Sequence, residues 1–396
     1  MNRTVGSESH SAADPLDLAQ ALVRCPSVTP DAAAALSCLE GVLAPMGFDC
    51  HRLTFSEADT PDVDNLYARF GSEPPVLLFN GHVDVVPPGD EALWTHPPFS
   101  GAVEGGMLHG RGAVDMKGAI ACFVAATRSF LSESGPPRGS IALAITGDEE
   151  GPAINGTRKL LDWAAERGER FDAGLVGEPT SRAVLGDMLK IGRRGSMSGT
   201  ITVIGRQGHS AYPHQAVNPV HGLSRLIAAL TESPLDEGTE AFQPSNLEIT
   251  SVDVGNPAFN VIPERAVARF NIRFNDLHSV DSLVDRLRGT ADRVLAGTMA
   301  VEIALAPNPA EVFRTHDPRL IGLMSEAVVA ETGRRPEPST TGGTSDARFV
   351  KDHCPVIEFG LVSETIHQID ECASIADLYA LTAIYRSFLE RYFSRD

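Results

Sequence analysis

Apolar and polar positions along the chain fall into two regimes. In the first, short and wholly apolar runs end abruptly in glycine and an acidic or imidazole side chain. Val76-Leu77-Leu78-Phe79 passes into Asn80-Gly81-His82-Val83-Asp84, and Ser140–Thr146 passes into Gly147-Asp148-Glu149-Glu150. Residues 173–177 end at Glu178, and residues 355–359 lead towards His367. Runs of this length closed by glycine read as buried strands, and residues 51–55 and 65–70 read as two more. Between them lie longer segments with helical spacing. Asp14-Pro15 and Thr29-Pro30 each combine a capping side chain with proline at the first helical position, which predicts helices over 15–24 and 30–43. Further helices are predicted over 118–132, 156–168 and 318–332, with a closing one that ends near Tyr392. Such alternation predicts an α/β fold with a largely parallel central sheet flanked by helices.

The second regime begins near Gly195. In residues 268–274, Phe270, Ile272 and Phe274 face one way, while Arg269, Asn271 and Arg273 face the other. That is the pattern of an antiparallel sheet with one buried face. Strands are predicted over 196–204, 246–253, 266–274 and 301–305, with helices 218–231 and 279–295 behind them. A chain of 396 residues is too long for one ordinary core. The expectation is a first domain made of 1–195 and 308–396, interrupted by an α+β domain over 196–307.

Charge narrows the choice of partners. With 33 basic and 52 acidic residues the net charge is −19, which argues against binding nucleic acid or an anionic membrane. No apolar run approaches the ~18–20 residues of a membrane span. The start of the chain lacks the apolar core of a secretory signal and reads as a polar tail. The six cysteines are scattered without a Cys-x-x-Cys pair, as expected of reduced thiols in a cytoplasmic protein.

Candidate chemistry gathers at the predicted strand ends, where open α/β sheets keep their sites. His82 and Asp84 share one side of an extended segment, so Asp84 is expected to accept the second ring N–H of His82 and fix its tautomer. Glu149 and Glu150 are adjacent and cannot both point at one atom. One is expected to bind a metal and the other to face water. Taken singly, each has a plain explanation: a histidine in a wet loop, or carboxylates that cap a helix start. Together, His82, Asp115, Glu150, Glu178 and His367 supply two imidazoles and three carboxylates, which suits two borderline cations sharing a carboxylate, zinc above all. Glu149, off the metals, is placed to carry a proton.

These residues lie in stretches that resemble the M20 family of dinuclear metallo-hydrolases. The stretches are Gly81-His82-Val83-Asp84, Gly110-Arg111-Gly112-Ala113-Val114-Asp115-Met116-Lys117-Gly118, Thr146-Gly147-Asp148-Glu149-Glu150 and Val176-Gly177-Glu178-Pro179-Thr180. Gly192-Arg193-Arg194-Gly195-Ser196, Gln207-Gly208-His209, Asn260-Val261-Ile262-Pro263 and Ser339-Thr340-Thr341-Gly342-Gly343-Thr344-Ser345-Asp346 extend the likeness over most of the chain. The resemblance implies that His82 and Glu178 bind one Zn2+, Glu150 and His367 bind a second, and Asp115 bridges them, with Co2+ a possible substitute. It also implies that Asp84 supports His82 and that Glu149 is general base and acid. The inserted domain would be a lid that forms a homodimer. The reaction implied is hydrolysis of N-succinyl-LL-2,6-diaminopimelate to succinate and LL-2,6-diaminopimelate. Arg193, Arg273 and Arg348 are candidates to grip the carboxylates of such a substrate. Ser196, Asn260 and the loop holding Gly343 and Thr344 would add hydrogen bonds. His209 would steady the oxyanion, or is a loop histidine packed on Tyr212. A related N-acyl amino-acid deacylase, a carboxypeptidase and a binding protein without catalysis are the other readings.

Overall fold

The apolar runs assemble into one sheet in the computed structural model, which describes residues 14–394. The segment expected as a polar tail lies outside those residues. The strands are β1 (Asp49–Phe55), β2 (Val63–Phe70), β3 (Val76–His82), β4 (Ser140–Thr146), β5 (Ala173–Val176), β6 (Met188–Lys190), β7 (Glu337–Ser339) and β8 (Val356–Glu358). Their order is β1-β2-β4-β3-β5-β8-β6-β7. At the centre β4, β3, β5 and β8 are parallel neighbours, while β2 runs antiparallel to β4 and β6 antiparallel to β8.

Every residue of β3 and β4 is buried, as strands covered on both faces require. Leu77, Phe79, Ile141, Leu143 and Ile145 join one large core with helices Pro15–Val23, Gly118–Ser134 and Ile375–Tyr392. Leu78, Ala142 and Ala144, of opposite parity, fall outside that core, on the side where helix Thr157–Glu166 touches β4. Phe79 is fully buried, stacked on Phe123 with centroids 4.0 Å apart and edge-on to Tyr385 at 6.2 Å. Phe79→Ala should lower the free energy of unfolding by about 3–5 kcal/mol, read from denaturant midpoints at unchanged slope.

One local expectation is corrected. The second helix spans Ala33–Leu43 and starts three residues after Pro30, with no side-chain cap at Ala32. Thr29 does not cap it because the Thr29 hydroxyl donates to Asp84 Oδ2 at 2.7 Å. The hairpin Ala102–Glu104 and Met107–His109, joined by Cys372–Ser374, was not expected, nor were β6 and β7. Three-residue strands are too short to show an alternation.

The chain divides into two compact units. One reaches to Ile191 and resumes over Thr315–Ser339 and from Ser345 onward. The other is Gly192–Arg314 with Thr340–Thr344. In the second, Asn246–Asp253, Arg265–Phe274, Gly195–Ile204 and Ala300–Leu305 form an antiparallel sheet in that order. Phe270, Ile272 and Phe274 are buried with Leu223 and Leu226 of helix Pro219–Thr231 and Leu283 and Leu287 of helix Val280–Leu295. Among the described residues no helix is long and apolar enough to cross a membrane, and all six cysteines are free.

Candidate active site

Four parallel strands end side by side, and the segment following each contributes to a cluster of imidazoles and carboxylates. His82 closes β3 and is buried. Its Nδ1 donates to the backbone carbonyl of Asp84 at 2.9 Å, which leaves Nε2 facing Asp115 Oδ1 at 3.1 Å and Glu178 Oε1 at 3.8 Å. The expected contact with the Asp84 carboxylate is therefore corrected: its nearer oxygen is 3.7 Å from Nδ1. The strand ends at His82, so alternation no longer governs Asp84, and that carboxylate turns to other donors. It accepts the Thr29 hydroxyl and the backbone N–H groups of Glu149 at 3.3 Å and Glu150 at 3.1 Å. Asp84 thus holds the loop after β4 against the end of β3.

Asp115 enters from the loop before helix Gly118–Ser134. The next residue, Met116, is fully buried between Gly81 and Gly177. A Cβ on Gly81 would stand 2.6 Å from the Met116 methyl, and one on Gly177 would stand 2.8 Å from it. The glycine before each of His82 and Glu178 thus makes room for the residue after Asp115. His367 follows β8 by a longer loop. Its Nε2 lies 3.2 Å from Asp115 Oδ2 and 2.8 Å from Glu150 Oε1. The two Asp115 oxygens consequently face different imidazoles.

Two groups of potential ligand atoms, His82–Asp115–Glu178 and Asp115–Glu150–His367, each lie within 4.8 Å of one another and share Asp115. Glu149 forms a third such group with His82 and Glu150. All-nitrogen-and-oxygen donor sets of this size fit a pair of divalent cations. Hydrogen bonds to Asp115 and Glu150 push His367 up to about 10. Burial would lower His82, but Asp115 holds it well above its ordinary value. Burial likewise opposes the low value of Asp115, which its bonds to His367 and His82 keep well below the usual carboxylate range. Burial pushes Asp84 up to about 6, despite His82, Thr29 and two backbone N–H groups. Burial also pushes Glu149 well above its ordinary value; His82 pulls it down, and Glu178, Asp346 and Glu150 push it further up.

The other expected residues separate into smaller groups. In the second unit Arg193 Nη1 donates to the Gly343 carbonyl at 2.9 Å, and Arg273 Nη1 donates to the Thr344 hydroxyl at 2.7 Å. Ser196 is the cross-strand partner of Arg273, so these five residues share one corner. His209 and Asn260 meet elsewhere in that unit: Gly208–His209 pairs with Val261–Ile262, and Ser210 donates to the Asn260 carbonyl. The His209 ring is exposed and 5.7 Å from Tyr212. Arg348 belongs to the first unit, with Nη2 3.8 Å from Asp346 and its guanidinium over Phe349. Asp148 turns inward and accepts the N–H groups of Ala153, Ile154 and Asn155. Sequence reasoning missed Arg111 and Glu371, which meet beside the cluster. An arginine fixed between two glycines was the available signal for the first, and no periodic segment marks the second.

The sequence profile of peptidase family M20/M25/M40 matches residues 78–391. The chain belongs to that family. It is 59% identical over 381 residues to a Methylorubrum populi protein named succinyl-diaminopimelate desuccinylase, with 96% of this chain and 98% of that one covered. Its fold is similar to that of an M20 family metallo-carboxypeptidase from Sulfolobus solfataricus, with a TM-score of 0.77, 16% identity, and 96% and 99% of the two chains covered. It is also similar to a Bacillus subtilis protein described as a dinuclear metal-binding peptidase of the M20 family, with a TM-score of 0.72, 15% identity, and 96% and 97% covered. Family and ligand groups together make this chain a metal-dependent hydrolase.

Proposed function

We propose that the chain hydrolyses N-succinyl-LL-2,6-diaminopimelate to succinate and LL-2,6-diaminopimelate. The observation that carries the substrate is the 59% identity, over nearly the whole of both chains, to a protein named for that reaction. The site supports the chemistry. His82 and Glu178 would hold one Zn2+, Glu150 and His367 a second, and Asp115 would be shared by both; Co2+ would substitute. When bound, such a pair polarises the scissile carbonyl and makes water acidic enough to attack near neutral pH.

The remaining work falls to side chains. Asp84 accepts the backbone N–H groups of both Glu149 and Glu150; in this reading Glu150 would serve the cations and Glu149 would stay off them. Glu149 takes the proton of the attacking water and gives it to the leaving nitrogen. Arg193 and Arg273, with Gly343, Thr344 and Ser196, form a cationic corner suited to a substrate carboxylate. Arg348 and Asn260 would add contacts, and His209 would steady the oxyanion. The second unit would act as lid and dimer contact in a cytoplasmic homodimer.

A substrate panel tests this reading. Purified protein with zinc or cobalt is offered succinyl-diaminopimelate, acetylornithine and a dipeptide. Turnover of the first alone, abolished by a chelator, is expected. Preference for acetylornithine or the dipeptide would overturn the substrate.

A further inference from the structure

One buried ion pair binds the segment that carries Asp115 to the segment that carries His367. Glu371 is completely buried. Its Oε1 accepts the backbone N–H groups of Val114 at 2.9 Å and Asp115 at 3.2 Å. Its Oε2 accepts Gly112 N–H at 3.0 Å and Arg111 Nη1 at 2.8 Å. Arg111 donates in turn to the carbonyls of Gln368 at 3.1 Å and His367 at 3.4 Å. Gly110 N–H completes the loop by donating to the Glu371 carbonyl at 2.9 Å.

A carboxylate this deep is costly unless its lone pairs are filled, and here four donors fill them. The donors come from a short stretch ending at Asp115. The loop they brace is itself unfavourable: His367 and Asp370 have φ of 60° and 61°, in the left-handed region that side chains seldom occupy. Asp370 is held there by the backbone N–H and hydroxyl of Thr95. His367 is held by Arg111, and Arg111 by Glu371.

We propose that Glu371, acting through Arg111, is a positioning residue that sets the distance between Asp115 and His367 and so builds the Asp115–Glu150–His367 half of the metal pair. Two of the three ligands in that half depend on it. In the His82–Asp115–Glu178 half only Asp115 does. The inference rests on the reading of these five residues as ligands, and it makes an asymmetric prediction.

The experiment is a titration of the metal-free protein with Co2+ alone, followed by calorimetry and by visible absorption. Wild type, Glu371→Gln and Arg111→Lys are compared, with the thermal midpoint of each metal-free protein measured alongside. Lysine keeps the charge but loses the planar fork that reaches two carbonyls, so Arg111→Lys remains informative if the Gln variant does not fold. Wild type should bind two equivalents. In the variants one equivalent should weaken by about 10–100-fold, the range usual for residues that orient ligands, while the other stays within about threefold. His367→Ala should remove the same equivalent, and adding Glu371→Gln to it should change the remaining one little. Equal weakening of both equivalents, or a lower thermal midpoint with both affinities intact, would overturn the proposal. Failure of wild type to bind two equivalents would sink the ligand reading itself.

Discussion

Glu149→Gln should cut turnover by about 10²–10⁴-fold while leaving both metal equivalents in place. The substitution keeps size and hydrogen-bonding capacity but removes the carboxylate proposed to take up the proton. The Glu149 backbone N–H bonds to Asp84 do not involve its side chain, so the loop after β4 should keep its shape. Steady-state rates, metal content after dialysis and the visible spectrum of the cobalt form separate the outcomes. A rate within tenfold of wild type would show that another group moves the proton. Loss of metal along with rate would place Glu149 among the ligands instead.

Asp115→Ala should be as severe by a different route. Asp115 is the one residue common to both ligand groups, with Oδ1 facing His82 and Oδ2 facing His367. Removing it takes a donor from each half and leaves two imidazoles with fewer carboxylates to offset them. The expected result is a protein that holds at most one equivalent after dialysis. Its rate should fall by on the order of 10³-fold or more, since the cations supply several kcal/mol of stabilisation to the transition state. Metal analysis and rates at saturating Co2+ check this. Two tightly held equivalents in the variant would show that Asp115 does not bridge.

The central strands were legible because burial on both faces leaves an unbroken apolar run, as in Val76 to Phe79. The candidate ligands were legible because each stands just past such a run or a glycine-rich turn. Asp84 was recognised but given the wrong partner. Strand alternation was extended two residues too far, and nothing local announces that its carboxylate serves Thr29, Glu149 and Glu150. Glu371 was invisible for a related reason. Three of its four donors are backbone groups some 256–259 residues away in sequence, and backbone groups leave no trace in a pattern of side chains. Gly81 and Gly177 read simply as strand ends, although their lack of a side chain serves Met116.

The anchoring of two successive amides on Asp84 leaves the connection after β4 no freedom of length. An inserted residue before Glu149 would hand its place on Asp84 to a newcomer and put Glu149 where Glu150 now stands. A deletion would do the reverse. The count of residues from Thr146 to Glu150 is therefore fixed by the two amides that Asp84 accepts.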